Sequence, residues 1–457
     1  MSLFKNLSAF NNKICIINEN DQLTFEKFTN LSDKLASKIN KRSLVFLLAE
    51  NDIESIASYV GLIRQKSVVD IFEKNIQKEY LYNLILKYKP NYIIQPKSLN
   101  IIKGYKKIFN FKDYICTKQK FIKKILMNDD LALLLSTSGT TGSPKLVRLS
   151  YENYLTNSKD IISSLHLRNK SVITTLPFNY TYGISVINTH LISGGKIILN
   201  NHSILEKKFW DKYKKFQPNC FYGVPYIFEL IDKLNFKNFY NKNLKFFANA
   251  GGKLDKNLIK KIVNFSEKNK IKFYSMYGQT EASPRMSVLD YKFIKKKTNS
   301  IGKAINNNLF YIRDKQGKKI ITPNTQGELV FKGKNVFMGY SNSYKDLIKN
   351  DENNNILFTG DLAKYDKDSF YYIVGRIKRI SKVFGVRIDL EDVEFLLKKN
   401  GYEVKCDISD NKLCIQHTGK NVSLDKVKNM LSKKLKLNIN YIEFKYVKKF
   451  LNKKILN

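Results

Sequence analysis

The chain has 457 residues, a length that exceeds what one ordinary hydrophobic core accommodates. Its residues are 43% hydrophobic and 13% aromatic, and this composition excludes a disordered protein. Its formal net charge of +40 comes from lysines that are dispersed along the whole length, with no nucleic-acid motif beside them. We therefore expect the lysines to lie on solvent-exposed surfaces, and we expect no nucleic-acid partner. No stretch approaches the roughly 18 apolar residues that cross a bilayer, and we therefore expect no membrane span.

Helical and strand-like patterns alternate through the first two thirds of the chain. Apolar spacing predicts a helix within 23–39, a strand at 43–48, a helix at 53–62 and a strand at 90–94. The same rhythm returns at 171–200 and at 244–277. This succession predicts an α/β architecture with a mainly parallel sheet.

The pattern changes beyond about residue 300, where short runs alternate or end in glycine. The runs 327–333 and 369–375 predict antiparallel strands of a β-subdomain. After these runs the sequence predicts, in order, a helix, two strands, a helix and a strand: 390–399, 403–408, 412–417, 424–435 and 441–447. We therefore predict a large α/β domain over residues 1–376 and a small α+β domain over residues 377–457.

The most informative segment is a loop of glycine and hydroxyl residues that follows the apolar run 131–135. It reads Ser136-Thr137-Ser138-Gly139-Thr140-Thr141-Gly142-Ser143-Pro144-Lys145. Glycines let successive backbone N–H groups converge on an anion, hydroxyls add donors, and the lysine adds a positive charge. The loop is not a Walker A motif, because Pro144 precedes the lysine and Leu146 follows it. It predicts a cradle for a polyphosphate.

Cysteine usage and the N-terminus bear on the compartment. The cysteines are scattered, without a CxxC pair, which is typical of reduced thiols: Cys15, Cys116, Cys220, Cys406 and Cys414. The first residues, MSLFKNLSAF, lack the basic start and apolar stretch of a secretory signal. We expect a cytoplasmic protein.

The loop 136–145 closely resembles the signature loop of the adenylate-forming superfamily, which includes acyl-CoA synthetases, peptide-synthetase adenylation domains and firefly luciferase. Further family signatures follow in family order: Tyr277-Gly278-Gln279-Thr280-Glu281-Ala282, then Thr359-Gly360-Asp361, then Gly375-Arg376 with Lys378. Gly251-Gly252 takes the place of the family's adenine-side glycine pair. The resemblance runs from about Leu23 to the C-terminus, and it implies that the small domain is mobile about a hinge near Lys378.

The resemblance also implies ATP and Mg²⁺ as cofactors, and a role for each matching residue. The phosphates would be enclosed by Thr137, Ser138, Gly139, Thr140, Thr141, Gly142 and Lys145. Glu281 would hold Mg²⁺, Asp361 would accept hydrogen bonds from the ribose hydroxyls, and Tyr277 would stack on the purine. The remaining nucleotide-binding residues would be Gly251, Gly252, Gly278, Gln279, Thr280 and Arg376. Thr140 and Glu281 would act in catalysis.

The implied activity is that of an ATP-dependent ligase. A carboxylic acid becomes an acyl-adenylate with release of pyrophosphate, and the acyl group then passes to the thiol of coenzyme A or of a carrier protein's phosphopantetheine. The family's catalytic lysine matches Lys454 in Asn452-Lys453-Lys454-Ile455, although Lys453 replaces the usual glycine. Two alternatives stay open: a non-catalytic nucleotide-binding relative, and adenylation with transfer to a non-thiol acceptor.

The acid pocket is expected around Asn179, Tyr182, Gly183 and Val224. Relatives that activate amino acids carry an Asp where this chain has Gly183, and a buried ammonium without a partner is costly. We therefore expect an acyl, hydroxy or aryl acid rather than an α-amino acid, with Gly183 leaving room beside an apolar wall.

Overall fold

Helices and strands alternate along most of the chain in the computed structural model. The structure describes residues 3–19, 21–120, 125–136, 145–377, 380–384, 386–418 and 424–447. The helices are α1 Phe25–Ala36, α2 Ile53–Arg64, α3 Lys78–Tyr88, α4 Tyr151–Leu165, α5 Thr181–Ile192, α6 Lys207–Phe216, α7 Pro225–Lys233, α8 Lys256–Asn269, α9 Leu390–Lys399 and α10 Leu424–Leu435.

The strands are short, and many are completely buried. They are β1 Ile14–Ile17, β2 Gln22–Thr24, β3 Leu44–Ala49, β4 Val68–Glu73, β5 Tyr92–Pro96, β6 Tyr105–Phe111, β7 Tyr114–Gln119, β8 Leu131–Ser136, β9 Leu146–Ser150, β10 Ser171–Ile173, β11 Lys196–Ile198, β12 Cys220–Gly223, β13 Phe246–Asn249, β14 Lys272–Gly278, β15 Arg285–Leu289, β16 Lys303–Ala304, β17 Leu309–Arg313, β18 Lys319–Ile320, β19 Gly327–Lys332, β20 Gly339–Ser341, β21 Ile356–Tyr365, β22 Tyr371–Arg376, β23 Ile380–Val383, β24 Val386–Asp389, β25 Val404–Ser409, β26 Lys412–His417 and β27 Ile442–Tyr446.

Two mixed sheets hold most of the strands that precede residue 300. The nine-stranded sheet has the order β16-β15-β14-β13-β12-β10-β11-β1-β2, and its strands from β14 to β1 run parallel. The eight-stranded sheet has the order β20-β9-β8-β4-β3-β5-β7-β6, with a parallel centre of β8, β4, β3 and β5. Parallel neighbours require crossover connections, which the intervening helices supply. The predicted α/β class with mainly parallel sheets is confirmed.

The predicted β-subdomain corresponds to a five-stranded sheet in the order β18-β17-β19-β21-β22. Its β17–β18 and β17–β19 pairs are antiparallel, and β19 corresponds to the run 327–333 that predicts an antiparallel strand.

The chain divides into two compact units. The first comprises most of residues 3–373, and the second comprises most of residues 374–457 together with residues 360–362. The predicted boundary lies at 376/377. The second unit contains the antiparallel β23–β24 pair and the three-stranded sheet β25-β26-β27, with α9 and α10 packed around a core of their own. Among the described residues no helix is both long and apolar enough to cross a bilayer.

Candidate active site

The glycine-rich loop joins two neighbouring strands of the eight-stranded sheet. β8 ends at Ser136, and β9 begins at Leu146 beside it. The loop residues Thr137, Ser138, Gly139, Thr140, Thr141 and Gly142 lie outside the described residues, as do Lys378 and Lys454. Their roles stay predictions, and Lys145 is the first described residue beyond the loop.

Lys145 and Glu281 contact the same tyrosine. The ammonium of Lys145 lies 3.5 Å from the centroid of the Tyr340 ring, within the range of a cation–π interaction. The hydroxyl of Tyr340 donates a hydrogen bond of 2.8 Å to Oε1 of the buried Glu281. The predicted phosphate lysine and the predicted magnesium carboxylate are therefore joined through one side chain that sequence reasoning missed.

Tyr340 is positioned by strand pairing with the segment that follows the loop. β20 runs antiparallel to β9, with Tyr340 opposite Val147. Next to Val147, the fully buried Arg148 donates to the carbonyls of Met338 at 2.9 Å and Lys349 at 2.5 Å. This anchoring depends on residues that are 190 and 201 positions apart, so no local motif predicts it.

Glu281 lies in the short 3-10 turn Thr280–Ala282 between β14 and β15. The amide of Phe337 donates to the backbone carbonyl of Glu281 at 2.9 Å, which fixes the turn. A Cβ on Gly278 would collide with the carbonyl oxygen of Pro284, so glycine is required where the two strands approach.

The carboxylate of Glu281 has the chemistry that Mg²⁺ requires. Its Oε2 atom is buried and has no hydrogen-bond partner among the described residues. Mg²⁺ prefers carboxylate and phosphate oxygens and is usually bound through one or two carboxylates plus substrate phosphates. Within the described part of the chain no group of three His, Cys, Asp or Glu residues could hold a metal ion. Glu281 therefore fits a magnesium ion that the nucleotide brings with it.

The predicted adenine side shows close backbone approaches. Gly251 has a φ of +85°, a conformation that favours glycine. A Cβ on Gly252 would lie 2.9 Å from Cγ of Pro225. The amide of Gln279 donates to the hydroxyl of Tyr277 at 3.2 Å and to the carbonyl of Thr359 at 2.9 Å, which orients the predicted purine platform.

In the second unit Asp361, the residue predicted to bind the ribose hydroxyls, forms an ion pair. Nε of Arg376 lies 2.5 Å from Oδ1 of Asp361, whose side chain is 1% exposed. Nη2 of the same arginine donates to Oδ2 of Asp361 at 3.5 Å, and the contact of Asp361 with the ribose hydroxyls stays a prediction.

Asn179 lines a polar cavity at the carboxyl ends of β3, β4, β10 and β11. The cavity has a volume of 660 Å³, and its charged and polar walls include Glu50, Lys74, Thr174 and His202. Such crevices are the usual ligand sites of α/β sheets. Tyr182, Gly183 and Val224 are not among the described residues that line this cavity.

Gly183 has a packing role that the sequence did not predict. A Cβ at this position would collide with the carbonyl oxygen of Pro177, so the glycine lets the first turn of α5 pack against the preceding backbone. The expectation that Gly183 leaves room for the acid stays a prediction. The ring of Tyr182 lies 5.9 Å from the guanidinium carbon of the buried Arg285, and the apolar wall beside Gly183 stays a prediction.

Comparison with known proteins gives consistent matches. A sequence profile of AMP-binding enzymes matches residues 3–341. The luciferin 4-monooxygenase of Photuris pensylvanica is 25% identical over 85% of this chain and 77% of its own length. The long-chain-fatty-acid–CoA ligase of Bacillus subtilis is 29% identical over 61% of this chain, which spans half the length of that ligase.

The fold matches a solved structure over nearly the whole chain. The o-succinylbenzoate coenzyme A synthetase of Bacillus subtilis, bound to a product analogue, gives a TM-score of 0.78. The match covers 99% of this chain and 95% of that one at 17% identity. The same synthetase in complex with ATP and a magnesium ion gives a TM-score of 0.70.

Proposed function

Because the chain belongs to the AMP-binding enzyme family, we propose that it activates a carboxylic acid with ATP and transfers the acyl group to a thiol. The observation that carries the proposal is the array of Lys145, Tyr340 and Glu281 at the end of the glycine-rich loop. It offers a cation and a buried carboxylate beside the segment whose sequence predicts a polyphosphate cradle.

The first step joins two anions. An oxygen of the acid attacks the α-phosphorus of ATP, and the bond from that phosphorus to the leaving pyrophosphate breaks. Lys145 would attract the β- and γ-phosphates as a point charge. Mg²⁺ bound at Glu281 would supply further neutralisation of the phosphate oxygens. Positioning of the two reactants contributes on the order of 7–11 kcal/mol in favourable cases.

The second step transfers the acyl group. The sulfur of the acceptor attacks the acyl carbon, AMP leaves as the anion, and the thiol proton is lost. We propose coenzyme A or the phosphopantetheine of a carrier protein as the acceptor, because both present the same thiol. Lys454 is the proposed catalytic lysine of the first step, and Lys378 is the proposed hinge between the two steps.

The proposal is tested by acid-dependent exchange of pyrophosphate into ATP, measured with fatty, hydroxy, aryl and amino acids. We expect exchange with one class of acid, and a loss of about hundredfold in Glu281→Gln. The matched control is Glu26→Gln, because Glu26 is exposed on α1.

Three further readouts separate the alternatives. Lys454→Ala is expected to lower exchange while Mg-ATP binding persists. Products formed with and without coenzyme A distinguish thioester formation from transfer to a non-thiol acceptor. Binding of Mg-ATP without exchange for any acid would contradict the proposal and favour a non-catalytic relative.

A further inference from the structure

Arg285 is a buried cation at the start of β15, with 1% of its surface exposed. Its Nε donates to Oγ of Ser185 at 3.0 Å, and its Nη2 donates to the carbonyl of Ser185 at 3.0 Å and to Oγ1 of Thr189 at 3.2 Å. These acceptors are neutral atoms of α5. They hold the guanidinium plane in one orientation and leave its charge uncompensated.

No described carboxylate forms an ion pair with Arg285, and its Nη1 atom has no hydrogen-bond partner among the described residues. Burial lowers the pKa of Arg285 below its usual value, yet a guanidinium stays protonated in proteins. A buried charge without a partner is destabilising, so this arrangement calls for an anion from outside the described residues.

Two tyrosines beside Arg285 present further donors. The rings of Tyr182 and Tyr222 each lie 5.9 Å from the guanidinium carbon, and their centroids are 6.0 Å apart. Neither buried hydroxyl donates a hydrogen bond within the described residues, and that of Tyr222 interacts electrostatically with the guanidinium. Burial raises the pKa of both phenols, so they stay protonated and able to donate. The cluster thus combines one cation with two donors.

His190 closes the cluster on the side of Tyr222, with ring centroids 5.7 Å apart. Its Nδ1 lies 2.9 Å from the carbonyl of Val186 and must donate to it, and burial lowers the pKa of His190 to about 4. The imidazole is therefore neutral at neutral pH and adds no second positive charge. Arg285 is the only charged group of the cluster among the described residues.

Arg285 belongs to the segment that carries Glu281. It follows Glu281 by four positions. In the antiparallel β14–β15 pair it lies opposite Gly278, which belongs to the same signature, 277–282, as Glu281. Tyr222 is in β12, next to the segment that leads to Val224, and Tyr182 is a predicted pocket residue. The cluster therefore lies on the elements expected to hold the acid.

Resting on the proposed function, we propose that the acid carries a second carboxylate away from the reacting carboxyl, and that Arg285 determines this specificity. The carboxylate would take its hydrogen bonds from Nη1 of Arg285 and from the hydroxyls of Tyr182 and Tyr222, and the guanidinium would supply the opposite charge. A site with buried donors strongly rejects analogues that lack the acceptor, because the donors are then left without partners.

The first test compares linear and aromatic dicarboxylic acids with the monocarboxylic acids of the same skeleton, using pyrophosphate exchange by the wild-type chain. We expect kcat/KM for the preferred diacid to exceed that of its matched monoacid and of its monomethyl ester by at least about hundredfold. Equal use of diacids and monoacids would overturn the inference and leave the proposed function standing. Absence of exchange with every acid would overturn the proposed function itself.

The second test changes the cation. Arg285→Met keeps the length of the side chain and removes its charge, so kcat/KM for the diacid is expected to fall about hundredfold, chiefly through KM, while that for the monoacid holds. Arg285→Lys keeps the charge without the planar guanidinium, and its kcat/KM for the diacid is expected to lie between those of wild type and Arg285→Met. An equal loss for diacid and monoacid would indicate a purely structural arginine.

Tyr222→Phe covers the case in which Arg285→Met does not fold. It deletes one hydroxyl and keeps the ring, and we expect the diacid preference to fall about tenfold. An unchanged preference would contradict the inference.

Discussion

At the scale of single residues, the two contacts of the Tyr340 side chain, one through its ring and one through its hydroxyl, can be tested separately by mutation. Its ring faces Lys145, and its hydroxyl donates to Glu281. Tyr340→Phe keeps the ring and removes only the hydroxyl, so the cation–π contact should survive while a buried carboxylate loses a donor. Leaving such a group unsatisfied costs about 1–3 kcal/mol.

We expect Tyr340→Phe to raise the Mg²⁺ concentration that half-saturates pyrophosphate exchange by about tenfold, because Glu281 loses the group that orients it. The measurement is a magnesium titration at saturating ATP and acid. Tyr82→Phe is the matched control, since Tyr82 is 50% exposed on α3. An unchanged magnesium dependence in Tyr340→Phe would mean that Glu281 does not hold the ion.

The sequence predicts the role of Lys145 from the residue types of its loop, and that of Glu281 from the resemblance of 277–282 to a family signature. Tyr340 and Arg285 carry no such local pattern. The role of Tyr340 depends on β20 pairing with β9, and that of Arg285 depends on α5 packing against β15. Contacts of this kind arise from long-range pairing, so spacing along one segment does not predict them.

At the scale of elements, helix α2 has at its N-terminus a capping carboxylate, Asp52, that gains a proton as the pH falls. Asp52 accepts hydrogen bonds from the amide of Ser55 at 2.6 Å and from the hydroxyl of Tyr114 at 2.7 Å. Burial raises the pKa of Asp52 to about 6, above the value of about 3.9 expected in an unfolded chain. The folded state therefore binds this proton more tightly, and its contribution to stability decreases as pH rises from about 4 to about 6.

Asp52→Asn keeps a good helix cap and removes this titration. The free energy of unfolding of the variant, relative to wild type, should rise with pH across that window by up to about 3 kcal/mol. Urea unfolding of both chains between pH 4 and pH 7 measures the difference. Asp129→Asn, at an exposed position, is the control. A difference that does not change with pH would contradict the prediction.

Elements with strong periodicity are the ones that the sequence locates best. The bounds of α9, α10 and β26 match their predictions, because in each helix the apolar residues recur on one face and turn residues flank the segments. The antiparallel edges of the two large sheets, such as β6–β7 and β1–β2, were not predicted. Whether an edge segment forms a strand depends on the strand it pairs with, and a local sequence pattern does not show which strand that is.

At the scale of the whole molecule, each unit has a hydrophobic core of its own. The second unit buries a cluster that includes Val393, Leu397, Leu413 and Leu431, each with no exposed surface. The first unit is built on strands such as β8, whose residues from Leu131 to Leu135 are all buried. Units with separate cores are expected to unfold in separate cooperative transitions.

Scanning calorimetry of the full chain should therefore resolve two transitions. Leu431→Ala removes buried atoms from the second unit at a cost of about 2–5 kcal/mol, and because the unit is small its transition should fall by about 10 °C or more. Leu133→Ala removes the same atoms from the first unit and should lower only the other transition. If either variant moved both transitions together, or if wild type showed a single transition, the two units would be energetically coupled. The proposed rotation about Lys378 would then have to break that coupling in every catalytic cycle, and it would slow as the coupling free energy increased.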